Sequence, residues 1–233
     1  MSTTGGMLLQ SRCAGCDRPG VALCRTCRFA LAGPSPRAPL GWADGGVIAA
    51  LPFTGRVRDV ILGFKYRNRR QLAGHLAGLL VNRLIAERVR PGFDVDIVTW
   101  APTSSSRRRR RGFDQAELVA RQVARQLGLP SRRLLERATG TGPQTGLGRD
   151  RRLAGPTFVA RPDVRDQRIL VVDDVVTTGS TLRSAADSLL GAGARAVVRA
   201  AVASTPSGLS SPGWVLVGPW ALADGPPPRQ RTA

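Results

Sequence analysis

Four short apolar runs stand out along the chain, and their composition predicts β-strands. They are residues 46–53 (GVIAALPF), 94–100 (DVDIVTW), 168–174 (RILVVDD) and 195–203 (RAVVRAAVA). Short runs rich in Val, Ile and Ala between polar segments are typical of buried strands. The run at 168–174 is apolar at successive positions, so both of its faces are expected to be buried. This is typical of a central strand in a parallel sheet.

The intervals between these runs carry apolar residues at helical spacing. Helices are predicted at 57–66, 71–89, 113–129 and 179–194, where apolar positions recur every three or four residues. A strand, a helix and a second strand in this order indicate a right-handed crossover within a parallel sheet. The predicted fold class is therefore α/β, a parallel sheet flanked by helices.

Segments without such a pattern divide the chain into parts. Residues 33–45 are rich in proline and glycine and are predicted to link a small module at 11–32 to a main domain at 46–205. Residues 206–233 are predicted to be a tail whose end is disordered. Residues 130–166 show little periodicity but are too long for a simple connecting loop. Loops of this length are often active-site lids or disordered.

The module at 11–32 contains all the cysteines of the chain: Cys13, Cys16, Cys24 and Cys27. Two Cys-x-x-Cys pairs can place four thiolates about 2.3 Å from one Zn²⁺, which leaves no open position for catalysis. Disulfides are the weaker interpretation because the amino terminus does not resemble an export signal. The alternative is a redox-active or metal-free knuckle. In either case we expect a scaffold or docking surface rather than the reaction centre.

The turn that follows the central strand has the composition of a phosphate cradle. At the carboxyl edge of a parallel sheet, the N–H groups of such a turn and the positive end of the next helix dipole face an anion. Gly179 lets the backbone approach the anion closely. Hydroxyl donors are available from Thr177, Thr178, Ser180 and Thr181. The sequence contains neither the nucleotide P-loop nor the dinucleotide fingerprint.

Two adjacent carboxylates, Asp173 and Asp174, precede this cradle by a few residues. They are expected to lie about one sugar away from the bound phosphate, where carboxylates accept hydrogen bonds from vicinal hydroxyls. Ribose 5-phosphate is the group that fits both the acid pair and the phosphate cradle. The alternative is an acidic strand end that caps the following helix.

The VVDDVVTTGST segment resembles the motif by which type I phosphoribosyltransferases bind phosphoribosyl diphosphate (PRPP), and the wider pattern resembles the ComF family. That family combines a four-cysteine zinc module, an FKY segment, RRGFNQA before a helix, a glutamine followed by an arginine-rich segment, and the PRPP motif. Here the three middle segments read FKYRNRRQLAGHLAGLL, RRGFDQAELVA and QTGLGRDRRLAGPTF. The resemblance covers about residues 11–205. Asp114 and Gly155 stand where the family usually has asparagine, which leaves any contact of those asparagines in question.

The resemblance implies a type I phosphoribosyltransferase-like sheet and an activity. A phosphoribosyl group would pass from PRPP to an unknown acceptor with release of pyrophosphate, and Mg²⁺ would accompany PRPP. Asp173, Asp174 and Lys65, the only lysine in the chain, are then the catalytic candidates. Arg111 joins residues 177–181 as a PRPP contact, and residues 130–155 would close as a lid.

The acceptor is less well specified than the donor. In relatives with a DTG turn an aspartate faces the purine ring, and the matching position here is Thr177. A hypoxanthine or guanine acceptor is therefore disfavoured.

The net charge of +19 comes almost entirely from arginine. Such a charge is compatible with a nucleic-acid partner, but the dominance of arginine favours codon bias and a solvated surface. The run Arg107–Arg111 can be interpreted either as a solvent-exposed charged stretch or as a set of phosphate contacts, and the sequence does not favour one over the other. Because the ComF family is associated with natural competence, a second hypothesis is a non-enzymatic DNA-uptake accessory protein that binds single-stranded DNA or the competence machinery. No apolar run reaches the roughly 18–20 residues of a membrane span, so we expect no membrane insertion and a cytoplasmic location.

Overall fold

The computed structural model describes residues 11–32, 46–92, 94–138 and 156–206 of the chain. The helices are α1 (Arg25–Ala32), α2 (Gly55–Tyr66), α3 (Ala73–Ala86), α4 (Ser105–Arg111), α5 (Gln115–Leu127) and α6 (Ser180–Gly191). The strands are β1 (Ile48–Pro52), β2 (Ile97–Trp100), β3 (Leu135–Arg137), β4 (Phe158–Ala160), β5 (Arg168–Val176) and β6 (Ala196–Ser204). Short 3₁₀ turns precede α3 and β5.

The four strands predicted from apolar runs form one parallel sheet in the order β1-β6-β5-β2. β5 is central, since Ile169 pairs with Ile97 of β2 while Val172 pairs with Ala200 of β6. Residues 169–172 are fully buried. The predicted central strand is therefore confirmed, and its uninterrupted apolar composition reflects burial on both faces.

Successive residues of β5 point to opposite faces of the sheet. Leu170 and Val172 belong to the core that α3 and α5 share with the sheet, whereas Ile169 and Val171 belong to the core under α6. Truncation of a buried leucine or isoleucine to alanine typically costs about 2–5 kcal/mol. Both helix layers thus pack against this one strand, which also carries the acid pair.

The carboxyl ends of β5 and β2 meet at one edge of the sheet. The Ala101 N–H, just after β2, donates to the Val172 carbonyl of β5 over 3.1 Å. Beyond β5 the chain turns at Gly179, whose φ of 73° lies in the left-handed region that favours glycine, and α6 then starts. The segment after β2 and the turn before α6 are therefore neighbours.

The cysteine module packs directly against α2. Cys27 and Ala14 are buried in the same core as Val60 of α2. A Cβ added at Gly63 would lie 2.2 Å from the Ala14 carbonyl oxygen, so a larger residue cannot be accommodated there without moving the backbone. The Arg67 guanidinium also donates to that carbonyl over 3.4 Å. The module and the helix that carries Lys65 are therefore parts of one packed core.

α4, β3 and β4 lie where hydrophobic periodicity predicts no element. α4 has no buried side chain, so it lacks the apolar stripe by which helices are predicted. Its limits are set by capping instead, since the Ser104 hydroxyl accepts the Arg107 N–H and Gly112 ends the helix with a φ of 74°. β3 and β4 form an antiparallel pair in the predicted patternless segment at 130–166. Each has three residues, too few to show alternation.

Several predicted segments lie outside the described residues: the linker at 33–45, residues 139–155 of the predicted lid, and nearly all of the tail at 206–233. Within the part of the chain that the structure describes, no helix is both long enough and apolar enough to span a bilayer.

Candidate active site and metal centre

A cavity of about 410 Å³ opens at the carboxyl edge of the sheet. Its walls come from β5, the turn before α6, the segment after β2, the start of α5 and the end of α2. The predicted site residues that line it are Lys65, Arg111, Asp173, Asp174, Thr177 and Thr181. The structure thus brings the acid pair, part of the predicted cradle and both predicted cations to one place.

The acid pair lies within β5 rather than at its end. The strand continues for two residues to Val176, which pairs with Ser204 of β6, so the strand boundary predicted at residue 174 is too early. Strict alternation breaks at the acid pair, since Val172 and Val175 both pack against the core under α3 and α5, and Asp173 and Asp174 line the same cavity. Burial, and then the charge of Asp174, raises the pKa of Asp173 to about 8. A ligand in this cavity can therefore reach both side chains.

Lys65, near the end of α2, forms an ion pair with Asp174. Its Nζ lies 2.9 Å from Asp174 Oδ1, and the two side chains are only 15% and 12% exposed. From the sequence, this lysine was named only as a catalytic candidate. The structure gives it a protein partner, so in this state Lys65 neutralises one of the two acids.

The turn before α6 divides its hydroxyl groups between two environments. Thr177 and Thr181 line the cavity. The Thr178 hydroxyl donates to the Ser180 hydroxyl over 3.1 Å, and the Ser180 N–H donates to Thr178 Oγ1 over 3.4 Å. These two side chains therefore stabilise the turn itself, while Gly179 supplies its left-handed conformation.

Asp114 fastens the segment after β2 to α5. Its Oδ2 accepts the Thr103 N–H over 2.8 Å, while its Oδ1 accepts the N–H groups of Ala116 and Glu117 and so caps α5. All three partners are donors, which suits a carboxylate with acceptors on both oxygens. Burial raises the pKa of Asp114. The aspartate that replaces the family's usual asparagine therefore has a structural role of its own, through three backbone contacts.

Arg111, the last residue of α4, is held by neutral groups. Its guanidinium lies 4.8 Å above the Tyr66 ring, donates to the Tyr66 hydroxyl over 2.9 Å and donates to Gln115 Oε1 over 2.9 Å. Gln115 is 1% exposed, and its Nε2 donates to the Lys65 carbonyl over 3.4 Å. One buried amide thus connects the arginine at the end of α4 to the end of α2.

The four cysteines form a compact cluster away from the cavity. The Sγ atoms of Cys13, Cys16, Cys24 and Cys27 lie within 4.8 Å of one another, and the Cys16–Cys24 separation is 3.7 Å. A tetrahedral zinc site with bonds of about 2.3 Å requires sulfur–sulfur distances of about 3.8 Å. All four are free thiols, and the Cys24 N–H donates to Cys13 Sγ over 3.4 Å. The cluster is therefore suited to hold a metal ion such as Zn²⁺.

Comparison with known proteins decides the family. The model of the phosphoribosyl transferase domain matches residues 113–213. The DNA utilization protein YhgH of Salmonella typhimurium is 31% identical over 198 residues, which cover 80% of this chain and 86% of that protein. Competence protein F of Haemophilus influenzae is 33% identical over 130 residues, which cover 53% of this chain and 57% of that protein. This chain belongs to the ComF family.

The fold of this ComF-family chain agrees with the family match. A parallel sheet flanked by α3 and α5 on one face and by α6 on the other, together with the matched domain, confirms the predicted phosphoribosyltransferase-like architecture. Among solved structures, glutamine phosphoribosylpyrophosphate amidotransferase from B. subtilis is 22% identical, with a TM-score of 0.38, over 65% of this chain and 28% of that chain.

Arg137 and Gln115 line the cavity but were missed by sequence reasoning. Arg137, at the end of β3, lines the cavity, and burial and then the charge of Arg107 lower its pKa. No periodic signal marks a three-residue strand, so its register was not predictable. Gln115, in contrast, lies within the RRGFDQA segment, and a polar residue at the start of an amphipathic helix was a usable signal.

Proposed function

We propose that this ComF-family protein binds PRPP in the cavity at the carboxyl edge and transfers its phosphoribosyl group to an acceptor. Asp173 and Asp174 would bind the ribose hydroxyls, while the turn at 177–181 would hold the 5-phosphate. The observation that carries the proposal is the shared cavity, which is lined by the acid pair, by Thr177 of the turn and by Lys65.

The charges around the cavity suit a sugar that carries phosphates at both ends. Arg107, Arg111 and Arg137 line it together with Lys65, and Lys65 already has a carboxylate partner. The three arginines can therefore attract the pyrophosphate group, and a fixed cation near a leaving anion stabilises the charge that develops in the transition state.

The proposed transfer exchanges one bond at ribose C1. The bond from C1 to the pyrophosphate oxygen breaks and its electron pair leaves with pyrophosphate, while a lone pair of the acceptor forms the new bond and the acceptor proton passes to water. The sugar is oxocarbenium-like between these events, so the Asp174 carboxylate in the cavity would stabilise it electrostatically. Asp174 keeps its charge balanced by Lys65 until the substrate binds.

Mg²⁺ would be bound mainly by the oxygens of PRPP and by water, where it would neutralise part of the pyrophosphate charge. Carboxylate oxygens are the ligand type that this ion prefers, and Asp173 and Asp174 supply them within the cavity. The contribution of the chain itself is to orient the ribose and to surround the leaving group with arginines.

Calorimetric titration with PRPP and Mg²⁺ tests the proposal. We expect saturable binding by the wild-type protein and its loss in the double variant Asp173→Asn/Asp174→Asn, because amides replace both carboxyl partners of the ribose hydroxyls. A matched control is Asp163→Asn/Asp166→Asn, which removes two exposed carboxylates that do not line the cavity.

Pyrophosphate release in the presence of candidate acceptors then tests the transfer itself. We expect release that depends on the acid pair. If millimolar PRPP gives neither heat nor a thermal shift with folded wild-type protein, the proposal is wrong.

A second function, single-stranded DNA binding without catalysis, is supported by the surface of α4 and by the names of the relatives. Residues 107–110 of α4 are four consecutive exposed arginines. One relative is named a DNA utilization protein and another a competence protein. Under this alternative the protein assists DNA uptake together with the competence machinery, and the cavity is a PRPP sensor or a relic.

The two functions respond differently to salt and to mutation. Binding to single strands through arginine–phosphate contacts should weaken steeply as salt rises, with a logarithmic slope of about −0.7 for each phosphate neutralised. It should be unaffected by Asp173→Asn/Asp174→Asn. Loss of DNA binding in that double variant would instead assign the strand to the PRPP cavity.

We further propose that residues 11–32 form a structural zinc module on the 46–205 domain and that the protein works in the reducing cytoplasm. Support comes from the compact cluster of free thiols, which is typical of a closed zinc site. Metal analysis of the purified protein should find one zinc ion per chain. Replacement of Cys13 and Cys27 by serine should abolish the retention of zinc during purification.

A further inference from the structure

A second cavity, here termed the basic cleft, adjoins the PRPP cavity. It has a volume of about 750 Å³ and is lined by Lys65, Tyr66, Asn68, Arg70, Arg110 and Arg111. Lys65 and Arg111 also line the PRPP cavity, so the two spaces share a wall. This volume is within the range of about 300–1,000 Å³ that is typical of small-molecule sites.

The basic cleft carries positive charge that its own walls do not balance. Arg70 donates to Asn68 Oδ1 over 2.8 Å and lies 4.7 Å above the Phe113 ring. Arg111 has only neutral partners, and its buried Nε has no hydrogen-bond partner among the described residues. Within the described ranges no carboxylate forms an ion pair with Arg70, Arg110 or Arg111. Fixed guanidinium groups with neutral partners favour an anionic ligand.

Tyr66 adds a flat apolar surface to the same cleft. The residue is 56% exposed, although large hydrophobic side chains are usually buried. Arg111 covers one face of its ring and binds its hydroxyl, which fixes the plane of the ring. The remaining exposed surface can stack against a planar ring, and an aromatic ring beside arginines is the combination that binds a base together with its phosphate.

We propose that the basic cleft binds one nucleotide unit, with its base on Tyr66 and its phosphate on Arg70, Arg110 and Arg111. Because the cleft shares a wall with the PRPP cavity, the bound unit lies next to the donor sugar. Its assignment as the acceptor of the transfer rests on the proposed function, whereas the binding itself does not. The same chemistry is offered by a free mononucleotide and by one unit of a single strand.

Calorimetric titrations distinguish these sources. Adenosine and thymidine 5′-monophosphates, the parent nucleosides, inorganic phosphate and a short oligothymidylate are each added to wild-type protein in saturating ribose 5-phosphate, which occupies the phosphate cradle. We expect the mononucleotides to bind more tightly than the nucleosides or phosphate. If only the oligonucleotide binds and the mononucleotides do not, the cleft holds a single strand, and the assignment of a free mononucleotide as the acceptor is wrong.

Variants locate the binding. We expect Tyr66→Ala and Arg110→Ala each to weaken mononucleotide binding about tenfold. Tyr66→Phe keeps the ring and should retain most of the affinity, and the control Arg58→Ala removes an exposed arginine of α2 that lines neither cavity.

The double variant Asp173→Asn/Asp174→Asn separates this inference from the proposed function, since it should lose PRPP but keep the mononucleotide. Wild-type affinity in both Tyr66→Ala and Arg110→Ala, or competition between the mononucleotide and ribose 5-phosphate, would overturn the inference whatever the result with PRPP.

Discussion

The ion pair between Lys65 and Asp174 should be a measurable contributor to stability. At 2.9 Å and an effective dielectric constant of about 20, Coulomb's law gives an attraction of about 6 kcal/mol. Loss of hydration by both ions offsets much of this attraction. We therefore expect a net coupling of about 2 kcal/mol, within the range of about 0.5–3 kcal/mol that is found for contacting residues.

A double-mutant cycle measures this coupling. Lys65→Met keeps the aliphatic stem and removes the charge, and Asp174→Asn keeps the shape of the carboxylate. Denaturant unfolding of the wild type, both single variants and the double variant at neutral pH gives the four free energies of unfolding. We expect the double variant to lose less stability than the sum of the two single losses, because each single variant leaves a partly buried charge without its partner.

The chain offers a matched control at the same distance. Arg161 and Glu136 also lie 2.9 Å apart, but their side chains are 51% and 53% exposed. Exposed pairs contribute about 0.2–1 kcal/mol, so a cycle with Arg161→Met and Glu136→Gln should give a clearly smaller coupling. Equal and small couplings in both cycles would refute the reasoning, and Lys65 would then be free to contact a ligand.

Three further predictions concern packing, pH and the metal. Gly63→Ala should lower the free energy of unfolding by about 3 kcal/mol or more, because the added Cβ meets the Ala14 carbonyl. The control Gly191→Ala has open space around its Cβ and should be neutral or stabilising. Equal effects of the two substitutions would contradict this prediction. Because the pKa of Asp173 is raised to about 8, the folded state holds a proton that the unfolded state loses above pH about 4. The free energy of unfolding should therefore fall as pH rises from about 4 to 8. If the Asp173→Asn variant shows the same dependence of this free energy on pH as the wild type, the assignment to Asp173 is wrong. Zinc-loaded protein should unfold at a higher temperature than protein treated with a chelator, as calorimetry can determine, and identical midpoints would speak against a structural metal.

Most of the sheet could be predicted from sequence because its strands are buried. Residues 169–172 are apolar without interruption, and burial on both faces of a central strand requires this composition. α4 could not be predicted in the same way. Its sequence is SSRRRRR, it buries nothing, and its ends depend on Ser104 and Gly112.

The candidate site was predictable only where one segment supplied several of its groups. The acids and the turn at 177–181 are contiguous, so their proximity followed from chain connectivity. The partner of Lys65 did not follow, since residues 65 and 174 come together only when α2 packs beside the end of β5. The pairing of Arg111 with Tyr66 likewise joins residues 45 positions apart.

The close approach of Ala14 and Gly63 couples the cysteine module to α2, the helix that carries Lys65. Zinc binding by the thiols would stabilise the folded module by mass action. Since the module shares its core with α2, which ends beside Lys65, that stabilisation extends to the helix that positions the lysine. Amide hydrogen exchange should accordingly quicken in α2 on chelation and stay slow in α6, which lies across the sheet. Under the proposed function, loss of zinc would then weaken the binding of PRPP.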